Sequence, residues 1–281
     1  MPVHGASPVL APGTRVLLAL VTTFSGILAF LRAYELAPFP YYQYPFRGAD
    51  GALAYPHLVL VPGPSLKFPW TLISAALFET SVPEFVVAIA VVAYAGPRIE
   101  ALWGWAEFLN FAALVVGVSN VLATGVAHAL HVLAGTPLDT VQYHGTLALQ
   151  AGLLVAVVQT APHTHVQLGP LAIGARTLAI AYLVLSNVLC VLGRPAPFIL
   201  IQFGWLVAYI YLRIYQPHES GRGDCSDAFA FETWFPPPAA PAVRTLARTA
   251  YRGAHALHLV PPPEYDLDLP LPQQGPGATV H

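Results

Sequence analysis

The side chains able to do chemistry are few and scattered. Glu79 and Glu84 stand five apart in an otherwise apolar stretch, where a carboxylate is costly enough to need a reason. A proton or ion path would require further acidic or His partners at matching depth, and no clear chain of them is visible. The preferred reading is two hydrated, interfacial carboxylates. His128 and His131, three apart, can share one helix face, and His163 and His165 form a loop pair. Zinc takes four ligands, three of them from protein even in open sites. Neither pair has a Cys, Asp or Glu nearby at a fitting spacing. Interfacial histidine is therefore expected, with no metal and no cofactor. The two cysteines, Cys190 and Cys225, offer no disulfide framework.

The elements around these residues follow from composition. Of 281 residues, 56% are apolar and only 9% charged, against about 25% charged in soluble domains. Mean hydropathy is +0.60. Such a chain cannot cover a water-facing surface, which excludes a soluble enzyme. A net charge of −2 leaves no basic excess for nucleic acid. The partner implied is the lipid bilayer, and the class is a polytopic, all-α membrane protein.

Charges punctuate the chain, and the gaps between them define six spans. Val16 to Leu31 lies between Arg15 and Arg32, which can snorkel to the two interfaces. No cleavable signal is evident in this segment, so it is expected to stay as an anchor. Residues 33–68, rich in Pro, Tyr and Gly, suit a structured interfacial loop. Trp70 to Gly96 follows, interrupted by Glu79 and Glu84 and closed by a charged connection at Pro97–Glu100. Phe108 past Ala129, Val141 to Ala161, Leu168 to Leu192 and Pro197 to Tyr215 complete the set, with Gly135, Pro137 and Asp139 in a hairpin loop. Arg176 is expected to snorkel to an interface.

Six spans put both termini on one side. A cytosolic N-terminus gives that side Arg15, Arg98, Arg176, Arg213, Arg222, Arg244, Arg248 and Arg252, leaving Arg32, Arg47, Lys67 and Arg194 opposite. Positive charge favours the cytosol, so both termini are expected there. The Arg222-Gly-Asp224 tripeptide has the form of an adhesion motif, a use without meaning on that side. The domain boundary is set at Tyr215, with residues 1–215 as the membrane domain and 216–281 as the tail. In the tail, Arg244, Arg248 and Arg252 repeat every four residues within Val243–Leu259, the pattern of a short basic amphipathic helix. It fits a bilayer surface or a cytosolic partner. Residues 261–281 are Pro-rich and expected to be disordered.

Within Trp70–Gly117, WTLISAALFETSVPEFVVAIAVVAYAGPRIEALWGWAEFLNF resembles the second and third helices of the rhomboid fold. Gly96, Glu100 and Gly104 match its G-x-x-x-E-x-x-x-G, and Glu100 is expected to cap the amides of the following helix. His144-Gly145 with Gly152 resembles the fourth helix, S-G-x-x-x-x-x-x-G, and Ile201 to Gly204 falls where rhomboids have H-x-x-G. The resemblance places the nucleophile at His144 and its base at Ile201, and isoleucine accepts no proton. Glu79, Glu84 and Ala88 stand where the family has two His and one Asn. No catalytic residue is expected.

Further on, YLRIYQPHESGRGDCSDAFAFETWFP is similar to the signature of the transmembrane protein 115 family, rhomboid-like pseudoproteases of the Golgi. That signature runs Y-L-R-F-Y-Q, G-R-G-D, then D-x-F-A-F-x-T-F-F-P. Arg213, Gly221, Arg222, Gly223, Asp224, Asp227, Phe229, Phe231 and Phe235 all match, while Ile214 and Trp234 depart mildly. The resemblance covers about Trp70 to Pro236. Physically, Gly221 and Gly223 permit tight turns, Asp224 and Asp227 can cap a helix start, and the aromatic residues form a juxtamembrane lid or a partner motif.

The resemblance implies a six-helix rhomboid-like bundle without proteolytic activity, located in Golgi membranes. It implies a role in retrograde transport from the Golgi to the endoplasmic reticulum, with residues 216–281 contacting the conserved oligomeric Golgi complex. Oligomerisation is compatible with it. An active intramembrane serine protease is argued against by His144 and Ile201. A derlin-like dislocation role lacks its F-x-G-x-G tail motif, and a bilayer-distorting role is left open.

Overall fold

The structure, a computed structural model, describes residues 11–34, 55–138, 141–162, 164–168, 171–193, 196–218, 221–224, 226, 229–235 and 240–256. The chain divides into two compact units, Met1–Ala230 and Phe231–His281.

The first unit is a helix bundle. Three of its helices are long and apolar enough to cross a membrane: α1 (Pro12–Ala33), α3 (Val82–Trp103) and α4 (Trp105–Ala134). Three shorter apolar ones follow: α5 (Leu147–Thr160), α6 (Ala175–Val191) and α7 (Ile199–Ile210), the last extended by a π-helical turn, Tyr211–Tyr215. The expectation of six full-length spans is therefore met by only three helices of spanning length among the described residues. At 14 residues α5 is about 21 Å long, short of the roughly 30 Å hydrocarbon layer. It tolerates this because it is the central helix, with 11 of its 14 residues buried. Its apolar surface runs all round, as a helix enclosed by others requires. The outer helices instead expose large apolar side chains, including Val16, Ile27 and Phe30 on α1 and Val184, Leu185 and Val188 on α6. Such a surface is stable against lipid tails and not against water.

The described boundaries differ from the sequence reading in instructive places. The stretch from Trp70 is broken into a short helix α2 (Thr71–Ser74) with a 3-10 turn (Ala75–Leu77), a connection, and then α3. The break follows from a capping box: the Ser81 hydroxyl accepts from the Glu84 amide, and the Glu84 carboxylate accepts from the Ser81 amide. The expected connection at Pro97–Glu100 is helical instead. Neighbouring helices allow a proline inside an apolar helix, and the chain turns only at Gly104, whose φ of 82° suits glycine. The fourth span begins at Leu147 rather than Val141, and the fifth at Ala175, because His165–Leu168 (β1) and Leu171–Gly174 (β2) pair as a hairpin.

Of the loop expected over residues 33–68, residues 35–54 lie outside the described residues, and from Tyr55 the chain packs against the bundle. Tyr55, Val59 and Val61 pack with Leu28 and Phe78, and Leu60 exchanges both backbone hydrogen bonds with Tyr143. This bridge and the bond from the Gly145 amide to the Ala75 carbonyl (3.0 Å) fix the chain that leads into α5.

The first unit runs past the boundary placed at Tyr215. Pro217–His218 (β3) pairs with Gly221–Arg222 (β4), and the segment folds back on the end of α7. The second unit contains a 3-10 turn (Phe231–Trp234) and α8 (Ala240–Ala256). Helix α8 starts three residues before the expected Val243, since Pro241 suits a first helical turn. Arg244, Arg248 and Arg252 are exposed along it. Residues 261–281 and Asp227 lie outside the described residues.

Candidate functional site

Two buried glutamates organise the bundle, and both hold helix N-termini. Glu100 accepts the Gly13 amide (2.7 Å), the Thr14 amide (2.7 Å) and the Thr14 hydroxyl (2.8 Å). It therefore caps α1, not the helix that follows it. The cause is tertiary: α1 packs on α3, and its first amides would otherwise stay unpaired. Gly96 makes the approach possible, because a Cβ there would sit 2.7 Å from the Thr14 hydroxyl. The G-x-x-x-E-x-x-x-G run thus supplies a groove for α1, a cap for α1, and the turn at Gly104.

Glu79 does the same for α5. It lies in the connection before α3 and is 5% exposed, so the expectation of a hydrated interfacial carboxylate is overturned. Its Oε1 accepts the Thr146 amide and the Thr146 hydroxyl, both at 2.8 Å. A carboxylate taken out of water needs such partners. From α6 the network extends through the Tyr182 hydroxyl to Gln150 Oε1 (3.0 Å), and from Gln150 Nε2 to the Thr146 hydroxyl (2.8 Å). Ser25 on α1 accepts from the Glu79 amide and donates to the Leu77 carbonyl, fixing the turn. Gly145 has φ 81°, and a Cβ there would meet Glu79 Oε2 at 2.5 Å.

His144 precedes this glycine. Its Nε2 lies 3.4 Å from the Thr80 hydroxyl, which donates to Glu84 Oε2 at 3.0 Å. Glu79, Glu84 and His144 each offer one potential ligand atom, all within 4.8 Å of one another. The expectation of no metal ligands was drawn from the other histidines. His128 and His131 turn to backbone carbonyls, of Thr124 (2.9 Å) and Thr136 (2.7 Å). His163 lies outside the described residues. Two sequence signals pointed to this corner: the rhomboid resemblance, which set Glu79, Glu84 and His144 at the family's polar site positions, and Ser81–Glu84, a capping-box spacing that marks a helix start beside Glu79.

Helices α5 and α7 run parallel at close range. A Cβ on Gly204 would come within 2.3 Å of the Ala148 carbonyl oxygen, and one on Gly152 would be 3.4 Å from the Ala208 Cβ. This register brings Ile201 to the level of Gly145, where it is 2% exposed. The Ser and His positions of the rhomboid comparison thus fall at one level of the bundle, filled by His144 and Ile201.

The juxtamembrane motif divides. Arg213 Nη1 donates to the Asp224 carbonyl (2.5 Å) and the Ser226 carbonyl (2.8 Å). Gly223 has φ 74°, and a Cβ there would lie 2.2 Å from the Arg213 carbonyl oxygen. The Asp224 carboxylate accepts from the Ser226 amide (2.9 Å), closing a turn rather than capping a helix. Phe229 is buried, with its ring 5.2 Å from that of Tyr209. Phe231 and Phe235 pair at 5.2 Å within the second unit. Gly221 and Arg222 lie in β4.

Residues 15–278 match the family described as eukaryotic integral membrane protein, DUF1751. The chain belongs to this family. It is 36% identical over 208 residues to mouse transmembrane protein 115, covering 69% of this chain and 57% of that protein. It is 33% identical over 254 residues to the bovine transmembrane protein 115, covering 85% and 68%. The Arabidopsis thaliana rhomboid-like protein 19 is 33% identical over 207 residues, covering 70% and 66%. The chain thus spans 57% of the length of the mouse relative. The family match reaches well beyond Trp70–Pro236 at both ends. As a family member, the chain is an integral, multi-pass membrane protein with a rhomboid-like helical bundle.

Proposed function

We propose that this chain is a non-catalytic rhomboid-like scaffold of the Golgi membrane. In this reading it acts in retrograde transport to the endoplasmic reticulum and recruits the conserved oligomeric Golgi complex through its cytosolic C-terminal region. The observation that carries the non-catalytic half is Ile201. A serine protease needs a proton acceptor beside its nucleophile, and the position at the level of Gly145 holds a buried aliphatic side chain. Recruitment is supported by the division of the chain. Residues 216–230 belong to the bundle unit, while α8, with Arg244, Arg248 and Arg252 exposed, belongs to a separate one. In this reading the recruiting part of residues 216–281 is the second unit, residues 231–281. The arginine distribution favours both termini in the cytosol.

Proximity labelling from a C-terminal tag, compared with the chain cut after Ala230, tests this. Golgi tethering subunits labelled only by the full chain are the expected result. Labelling dominated by dislocation factors of the endoplasmic reticulum would refute the Golgi assignment and favour a derlin-like role.

A further inference from the structure

We propose that Glu79, Glu84 and His144 bind one divalent transition-metal ion of the Zn2+ class, tying the start of α3 to the start of α5. The donor set is two carboxylates and an imidazole. This mixture suits zinc and its first-row neighbours, where an all-oxygen set would suit magnesium or calcium. Three protein ligands with one position left for water is the arrangement of an open zinc site.

The geometry goes beyond a cluster of acids. Each carboxylate is anchored through one oxygen, and the other takes no hydrogen bond among the described residues. Glu79 Oε1 takes both Thr146 bonds, while Oε2 takes no hydrogen bond among the described residues and lies over Gly145. Glu84 Oε2 takes the Thr80 hydroxyl and the Ser81 amide, and Oε1 is left to a ligand in the same sense. Hydrogen bonds that orient a ligand and set its basicity are the usual outer shell of a protein metal site. Here that shell runs through Thr146 and Gln150 to Tyr182 on a third helix.

Distances fit an ion. A tetrahedral centre with bonds of about 2.1 Å holds its ligands about 3.4 Å apart. The ligand atoms here lie within 4.8 Å of one another, so side-chain rotations alone can close the site. Burial supports the same conclusion. Two carboxylates this close repel in a medium of low polarity unless a proton or a cation sits with them, and His144 adds a ligand that a shared proton does not need. Glu84 and His144 are half-buried, which leaves a way in. The site is independent of the scaffold reading.

The test is the full chain purified in detergent, stripped with chelator and equilibrated with Zn2+ alone. One ion per chain is expected by elemental analysis. Glu84→Gln keeps the shape of the capping box, and His144→Ala removes a ligand from a different element. Each is expected to weaken binding by more than tenfold. Thr146→Val, which removes only an outer partner of Glu79, is expected to weaken it about 10–100-fold. X-ray absorption on the zinc-loaded wild type needs no variant to fold, and one imidazole with two carboxylates is its expected shell. No zinc retained by the wild type, as for a pair of carboxylates sharing a proton, would overturn the proposal. So would unchanged affinity in a folded Glu84→Gln or His144→Ala chain, or a shell with no imidazole or several.

Discussion

Glu100→Gln removes a charge and keeps the side-chain shape, so it isolates what the α1 cap contributes. The carboxylate receives two backbone amides and one hydroxyl at 2.7–2.8 Å in a site 4% exposed. A glutamine keeps one acceptor oxygen and turns an NH2 toward a donor that then has no partner. Hydrogen bonds to a charged group contribute about 1.5–3 kcal/mol each, and a buried donor left unmet costs about 1–3 kcal/mol. The field of the helix N-terminus adds up to about 2 kcal/mol in partly buried geometries. These overlap, and the expected loss is roughly 2–4 kcal/mol. An ordinary neutral bond between membrane helices averages only about 0.6 kcal/mol, so the two cases are separable. The assay is reversible unfolding of the purified chain in mixed micelles. A loss no larger than one neutral bond would refute the cap. Gly96→Ala supplies an internal control. Its methyl would meet the Thr14 hydroxyl at 2.7 Å and push Thr14 off Glu100. The double variant should then cost less than the sum of the singles by about 0.5–3 kcal/mol. Strict additivity would show that the groove and the cap are unconnected.

The same bundle ranks its glycines. Gly204→Ala, whose Cβ would press on the Ala148 backbone at 2.3 Å, should destabilise far more than Gly152→Ala, where the Val115 side chain at 2.9 Å can turn. Gly117→Ala, with 3.7 Å to Ile73, should be nearly neutral, and melting of the three variants checks the order. Cutting the chain after Ala230 should leave the melting of the bundle intact, whereas cutting after Tyr215 should lower it. The second cut removes Gln216, which accepts from Gln159 Nε2 at 3.1 Å, and Phe229, which covers Tyr209. Arg213→Ala should speed proteolysis within residues 217–226 in the full chain, because both carbonyls it holds are released. A fluorophosphonate probe should leave the purified chain unlabelled, and labelling lost on changing one specific serine would refute the non-catalytic reading.

The membrane class, the helix-rich fold and the family were legible in the sequence because they rest on local or collinear signals. Apolar runs must meet lipid wherever they fold. The residues 211–236 signature and the Gly96–Glu100–Gly104 spacing are carried by single continuous segments. The partners of the buried glutamates were not legible. Glu79 reads as an interfacial charge until the fold brings Thr146 to it, 67 positions away, and Glu100 caps a helix 86 positions back. Helix ends went astray for a related reason. Charge marks the end of a span only when the charge meets water, and here Glu100 is buried inside α3 while Pro97 is carried through it. The short α5 was overestimated because apolar length was read as bilayer thickness, when the helix is enclosed by its neighbours. What the chain determines alone is which surfaces must leave water. Which polar groups then find one another, including the Glu79–Glu84–His144 corner, was decided only by tertiary packing, because a hydrogen bond or ligand set depends on proximity in space rather than order along the chain.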